Sequence, residues 1–153
     1  MQWTPLNLPK APLQLKRREG VIYVDCIIRR KELVLTPEEW VRQHVLHYLM
    51  QREVPKGLIA SEVSLKYNGL SKRADIVVYG RDQKPKLIAE CKATDVELTE
   101  AVFRQIAAYN HTLQVEYLMV TNGIQHIYAH INLASGQLTY LEEFPRQLVL
   151  EVG

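Results

Sequence analysis

Two short apolar runs separated by a turn constrain this chain more than any other feature. Arg73-Ala74-Asp75-Ile76-Val77-Val78-Tyr79 and Lys86-Leu87-Ile88-Ala89-Glu90-Cys91-Lys92 are both apolar and β-branched enough to form buried strands. Residues 80–85, which include Gly80, Asp82 and Pro85, read as the turn between them. Yet both runs carry charge. A buried carboxylate or ammonium is costly unless it is paired or bound to a metal, so Asp75, Glu90 and Lys92 demand a physical account.

Register arithmetic offers one. In an antiparallel hairpin, opposed residues have a constant sum of numbers. A turn centred between Asp82 and Gln83 gives 165, and Asp75 with Glu90 gives the same sum. Directly opposed Cβ atoms lie about 4.5–5.5 Å apart. Lys92, two residues beyond Glu90, shares its face of the sheet, while Ala89 and Cys91 point the other way into the core. The expectation is two carboxylates and an ammonium on one patch. Close carboxylates repel and favour a cation, and hard oxygen donors suit Mg²⁺ or Mn²⁺, with Asp75 and Glu90 as the metal ligands. Such an ion activates water and stabilises charge on a phosphodiester, and Lys92 would orient the water or neutralise that charge. Taken alone, the three residues also fit a purely structural ion cluster.

Composition sets the outer bounds. A chain of 153 residues suits one domain with one core, and 47% hydrophobic with 24% charged residues is an ordinary soluble balance. No apolar run approaches a membrane span, and the proline-bearing N-terminus has no signal-peptide core. Cys26 and Cys91 form no C-x-x-C pair, which suits a reduced, cytoplasmic chain. A net charge of +2 does not announce nucleic acid. The clusters Lys16-Arg17-Arg18, Arg29-Arg30-Lys31 and Lys72-Arg73 are candidates for phosphate contact, although each alone reads as solvated surface. The five histidines show no H-E-x-x-H pattern, and no G-x-x-x-x-G-K-[ST] motif marks an ATP motor.

Residues 1–20, with Pro5, Pro9 and Pro12, read as an extended arm, and 21–150 as a single domain. Strands are expected over 21–30 and 33–35. Thr36-Pro37-Glu38-Glu39 starts a helix that runs to about Arg52, with Val41, Val45, Tyr48 and Leu49 as its apolar stripe. A strand over 59–67 precedes the two acidic strands. A second helix covers 98–113, with Val102, Ile106, Tyr109 and Leu113 inward. Strands at 116–121, 125–133 and 137–141 follow. The order suits an α/β sandwich with a central mixed sheet flanked by helices.

Several other polar residues are candidates for the same patch. Glu39 reads from its spacing as the third residue of a capping box, bonding back to the Thr36 amide. Gln43 lies one turn on, either near the site or as a solvated amide. Gln105 and Tyr109 share a helix face, with Tyr109 also on the apolar stripe. Glu62 reads as an exposed strand charge rather than a supporting acid.

Asp75 followed by Glu90-Cys91-Lys92 resembles the D…(D/E)-x-K signature of the PD-(D/E)xK nuclease superfamily, with Ala74 where the name-giving proline would stand. Gln105-Ile106-Ala107-Ala108-Tyr109 resembles the Q-x-x-x-Y helix motif of its RecB-like branch. With Glu39-Trp40-Val41-Arg42-Gln43, Lys72 through Tyr79, Ala93 and Thr121-Asn122-Gly123, residues 21–131 are similar to the N-terminal nuclease domain of type I restriction enzyme R (HsdR) subunits. The resemblance implies a restriction-endonuclease-like fold and a Mg²⁺-dependent DNA endonuclease. Asp75, Glu90, Lys92 and Gln105 would be catalytic, with Glu39, Gln43 and Tyr109 as possible additions and Lys72 and Arg73 as DNA contacts. It also implies DNA as partner, with a homodimer or a motor or specificity subunit beside it. The alternative it leaves is a DNA-binding module, weakly active or inactive without its motor.

Overall fold

The two apolar runs fold back on each other as the register arithmetic requires. In the computed structural model, which describes residues 3–152, they lie in strands β5 (Leu70–Tyr79) and β6 (Pro85–Cys91). Their rungs are Ile76–Ala89, Val77–Ile88 and Val78–Leu87, each summing to 165. A bulge between Val78 and Tyr79 shifts the last rung to Tyr79–Pro85 and leads into a turn closed by the Gly80 amide donating to the Lys84 carbonyl.

This pair lies within a six-stranded sheet ordered β4-β5-β6-β7-β8-β9, whose remaining strands are β4 (Ile59–Tyr67), β7 (Tyr117–Thr121), β8 (His126–Ile131) and β9 (Leu138–Leu141). Only β6 and β7 run parallel, because helix α2 (Glu100–Thr112) carries the chain from one to the other. The other pairs are antiparallel, so the sheet is mixed.

Both faces of this sheet are covered, which is why its strands read as apolar runs rather than alternating ones. Helix α1 (Pro37–Gln51) packs Val41, Val45, Leu46 and Leu49 with Ile76, Val78, Leu87, Ala89, Cys91 and Met119. Helix α2 packs Phe103 and Ile106 with Leu118 and Val120 of the opposite face. This is the expected α/β sandwich, and the helix start is as read: Thr36 caps α1 through its hydroxyl, which accepts from the Glu39 amide at 3.0 Å.

Some elements differ from expectation. The 21–30 stretch is a strand only over β2 (Val21–Cys26), because Arg30 adopts a φ of 54° and turns the chain into β3 (Lys31–Val34). The arm contributes β1 (Leu15–Arg18), and β1-β2-β3 form a separate three-stranded sheet. Earlier in the arm, Leu6 and Leu8 pack on the main core, and the Asn7 amide donates to the Gly123 carbonyl at 2.8 Å. Gly123 has a φ of 86° and a built Cβ would stand 2.7 Å from Leu6, so the Asn122-Gly123 turn needs its glycine. A last helix, α3 (Arg146–Val152), lies beyond the expected elements. Within α2 the buried stripe is Phe103, Ile106 and Asn110, not one containing Tyr109.

Candidate active site

Three neighbouring strands bring an acid to the same line across the sheet. The rungs Ser61–Ile76 and Val63–Ala74 set Glu62 opposite Asp75, and the 165 register sets Asp75 opposite Glu90. Regular pairing lapses along this line. Glu62 is held at a φ of 51°, a conformation that costs a residue with a Cβ roughly 1–2 kcal/mol. The Cys91 amide, beyond the last β5–β6 rung at that end, donates to Asp75 Oδ2 at 2.8 Å. A side chain has taken the place of a ladder carbonyl.

The charges on this line are paired from two directions. Arg42 of α1, only 5% exposed, reaches Asp75 Oδ1 at 3.1 Å, Glu38 at 2.7 Å, Glu39 at 2.6 Å and Glu62 at 3.6 Å. Burial works against its charge, but Glu39, Asp75 and Glu62 more than offset this and raise its pKa. Glu62 is also ion-paired with Arg29 and lies 3.6 Å from Arg73. From the other direction, the Lys72 ammonium is ion-paired with Glu90 Oε1 and stands 5.3 Å from the centre of the Tyr109 ring.

Glu90 is the most perturbed carboxylate of the group. Burial first, and then the charge of Asp75, push its pKa up to about 6, against the opposing pull of Lys72. Two carboxyls that cannot both ionise freely, one of them buried near the end of β6, make a donor set suited to a hard divalent ion. Among the described residues no group of three or more His, Cys, Asp or Glu is placed to hold a metal. Asp75 and Glu90 are the two carboxylates that could hold such an ion.

The remaining expected residues fall into place unequally. Glu39 presents its amide to the Thr36 cap, but its carboxylate bonds Arg42 and Gln43 rather than returning to the Thr36 amide. Gln43 is fully buried and donates to Glu39 Oε2 at 2.9 Å, so the solvated-amide reading is overturned. Its Oε1, like Arg42 Nε, has no described hydrogen-bond partner. Glu62 is not a plain exposed charge, because three arginines surround it. Lys92 follows β6 and is half-buried; its amide donates to the Thr121 carbonyl, and its ammonium has no described partner. Gln105 lies exposed on α2. Tyr109 is 36% exposed and faces Lys72, so it is not the core aromatic that the stripe suggested.

Arg42 is the residue that sequence reasoning passed over. Its spacing, three from Glu39 and four from Glu38, was a visible signal of an internal helix pairing. Its third and fourth carboxylates, from Glu62 and Asp75, come only with the fold.

Comparison with known proteins gives two findings. The family model for the type I restriction enzyme R protein N terminus matches residues 37–145, a stretch containing all the site residues described except Arg29. Among solved structures, the chain is similar to a fragment of a candidate HsdR subunit of a type I restriction enzyme from Vibrio vulnificus YJ016. That match has 21% identity and a TM-score of 0.53, and covers 77% of this chain. The chain spans only 24% of that protein. No curated protein matches the chain.

Proposed function

The chain belongs to the type I restriction enzyme R protein N-terminal family, and on that premise we propose that the acidic line is the centre of a metal-dependent DNA endonuclease. The observation that carries this reading is the convergence of Asp75 and Glu90 in one register, with Glu90 raised to about 6 by burial and by Asp75. A protein keeps such a pair at a cost unless a cation or a proton is wanted there.

Each residue then has a chemical task. Asp75 and Glu90 hold Mg²⁺ or Mn²⁺. A divalent ion so held supplies an activated water and charge stabilisation on the phosphodiester. Arg42 and the Cys91 amide fix the Asp75 carboxylate through one oxygen each, so its orientation is set before any ligand arrives. Glu39 holds Arg42 in turn, and Gln43 holds Glu39. Lys92, whose ammonium is uncommitted, orients the attacking water or takes up charge on the phosphate. Gln105 meets a phosphate oxygen from the exposed face of α2. Arg73, with a side chain 64% exposed, contacts the DNA backbone.

The partner is DNA, and the setting is a cytoplasmic restriction complex in which a motor or specificity subunit, or a second copy of the chain, presents the second strand. No helix among the described residues is long and apolar enough to cross a membrane. One observation favours a weaker form of this reading, a DNA-binding module barely active alone. Arg42 and Lys72 already neutralise both acids.

Purified protein with plasmid or single-stranded DNA decides the matter. Cleavage should require Mg²⁺ or Mn²⁺ and fall about 100-fold or more in Asp75→Asn and Lys92→Met. Equal residual cleavage in wild type and variants would mark a contaminant and end the proposal. Salt-sensitive DNA retention without cleavage selects the binding module instead.

A further inference from the structure

Lys72 and Arg73 are neighbours in sequence, yet the fold gives them different surroundings. Arg73 lies mostly in solvent near Glu62. Lys72 has a side chain only 15% exposed, with its ammonium on Glu90 and over the Tyr109 ring. A DNA contact would leave that ammonium free for phosphate, and here it is committed.

The cations holding the two acids differ in how they are tied down. Arg42 is buried and touches four carboxylates, so it cannot leave without stranding several charges. Lys72 touches one carboxylate, is a compact charge on a flexible stem, and rests against a half-open ring. A divalent cation entering a line already neutralised meets repulsion from both. Release of Lys72 is the move that strands least.

We propose that Lys72 is the exchangeable counter-ion of Glu90. Its ammonium occupies the carboxylate until a divalent cation takes its place, and the Tyr109 ring retains the displaced ammonium beside the site. This rests on the divalent site proposed above. It also gives Tyr109 a task that its exposure and its contact with Lys72 both fit: the ring face attracts an ammonium whichever state the site is in.

The test needs no DNA and no turnover. Mn²⁺ binding to the full chain is measured by calorimetry and by the Mn²⁺-induced rise in melting temperature, at one pH and salt concentration. Lys72→Met should bind Mn²⁺ about tenfold tighter than wild type, because a competitor has gone. Its melting temperature should rise further on adding Mn²⁺. Lys92→Met removes a nearby charge that holds neither acid and should tighten binding less than about threefold. Tyr109→Leu removes a contact that the ammonium keeps in both states, so it should change Mn²⁺ affinity less than about threefold and never reach the gain of Lys72→Met, and Tyr109→Phe, which keeps the ring, should match wild type. If Lys72→Met fails to fold, Lys72→Gln keeps a donor for Glu90 without the charge and serves the same purpose. Unchanged or weaker binding in the Lys72 variant overturns the exchange, as does an equal gain in Lys92→Met. If that happens while Glu90→Gln still abolishes binding, the metal-site reading survives alone. If neither wild type nor the Lys72 variant binds Mn²⁺, both readings fall.

Discussion

The two helices that cover the main sheet meet its acidic line in opposite ways. Helix α1 brings Glu39, Arg42 and Gln43 to the line already buried and bonded to one another. Helix α2 brings a single ring, Tyr109, and leaves Gln105 in solvent one turn away. One wall is therefore internal wiring that fixes Asp75. The other is a solvent-facing wall beside Glu90 and Lys72. The contrast separates two jobs that a nuclease motif bundles together: holding the acids still, and meeting something that arrives from outside.

The largest effect should come from cutting the wired wall. Arg42→Met leaves Glu39 and Asp75 partly buried without their cation, which costs about 3–5 kcal/mol when one partner of a buried pair is removed. In a domain of this size that lowers the melting temperature by roughly 10 °C. Thermal and urea unfolding measure it. A loss under about 1 kcal/mol would mean that α1 is no more committed to the line than α2, and the contrast would break.

Glu90 provides the next effect, at the border of the two walls. Its folded pKa of about 6 lies above the ordinary 4.5, so the folded chain binds the proton more tightly than the unfolded chain does. That contribution is full below about pH 4.5 and is lost as pH rises through 6. A shift of this size corresponds to about 2 kcal/mol across the window. Glu90→Gln cannot titrate, so its stability minus that of wild type should grow by about this amount from pH 4.5 to pH 7.5. Buried His44 and His47, whose pKa values are lowered by burial, act in the same range with the opposite sign but cancel in the difference. Denaturant titrations at several pH values settle it, and a flat difference would place Glu90 with the solvated residues.

The sequence made the strand pair legible sooner than either wall, for physical reasons. The 165 register follows from the turn and the two apolar runs alone, and the sheet reproduces it. The start of α1 follows from Thr36 and Pro37, which act locally. The Arg42 network does not, because Glu62 and Asp75 come to it from strands 20 and 33 residues away in sequence. Glu39 was ambiguous because a cap and an ion pair use different atoms of one residue, and the structure uses both. Tyr109 was misplaced because helical periodicity gives the spacing of a stripe but not its phase. Phe103 and Asn110 claimed the inward face, and the Asn110 amide reaches the Tyr117 carbonyl at 3.1 Å. Strand β1 escaped notice because all four of its residues are exposed, leaving no apolar pattern to read.

The smallest stability effect should come from Gln105, and there the comparison is sharpest. Its amide is exposed and touches nothing that holds the fold, so Gln105→Ala should change stability by no more than about 0.5 kcal/mol. The same substitution should lower DNA cleavage, because a side chain with no structural partner that lies one turn from Tyr109 is free to meet a ligand. The split matters more than either number. Arg42→Met should damage folding and cleavage together, whereas Gln105→Ala should damage cleavage alone. Should Gln105→Ala cost more than about 1 kcal/mol in unfolding experiments, α2 would be a structural wall like α1, and the site would have no side built to meet a substrate.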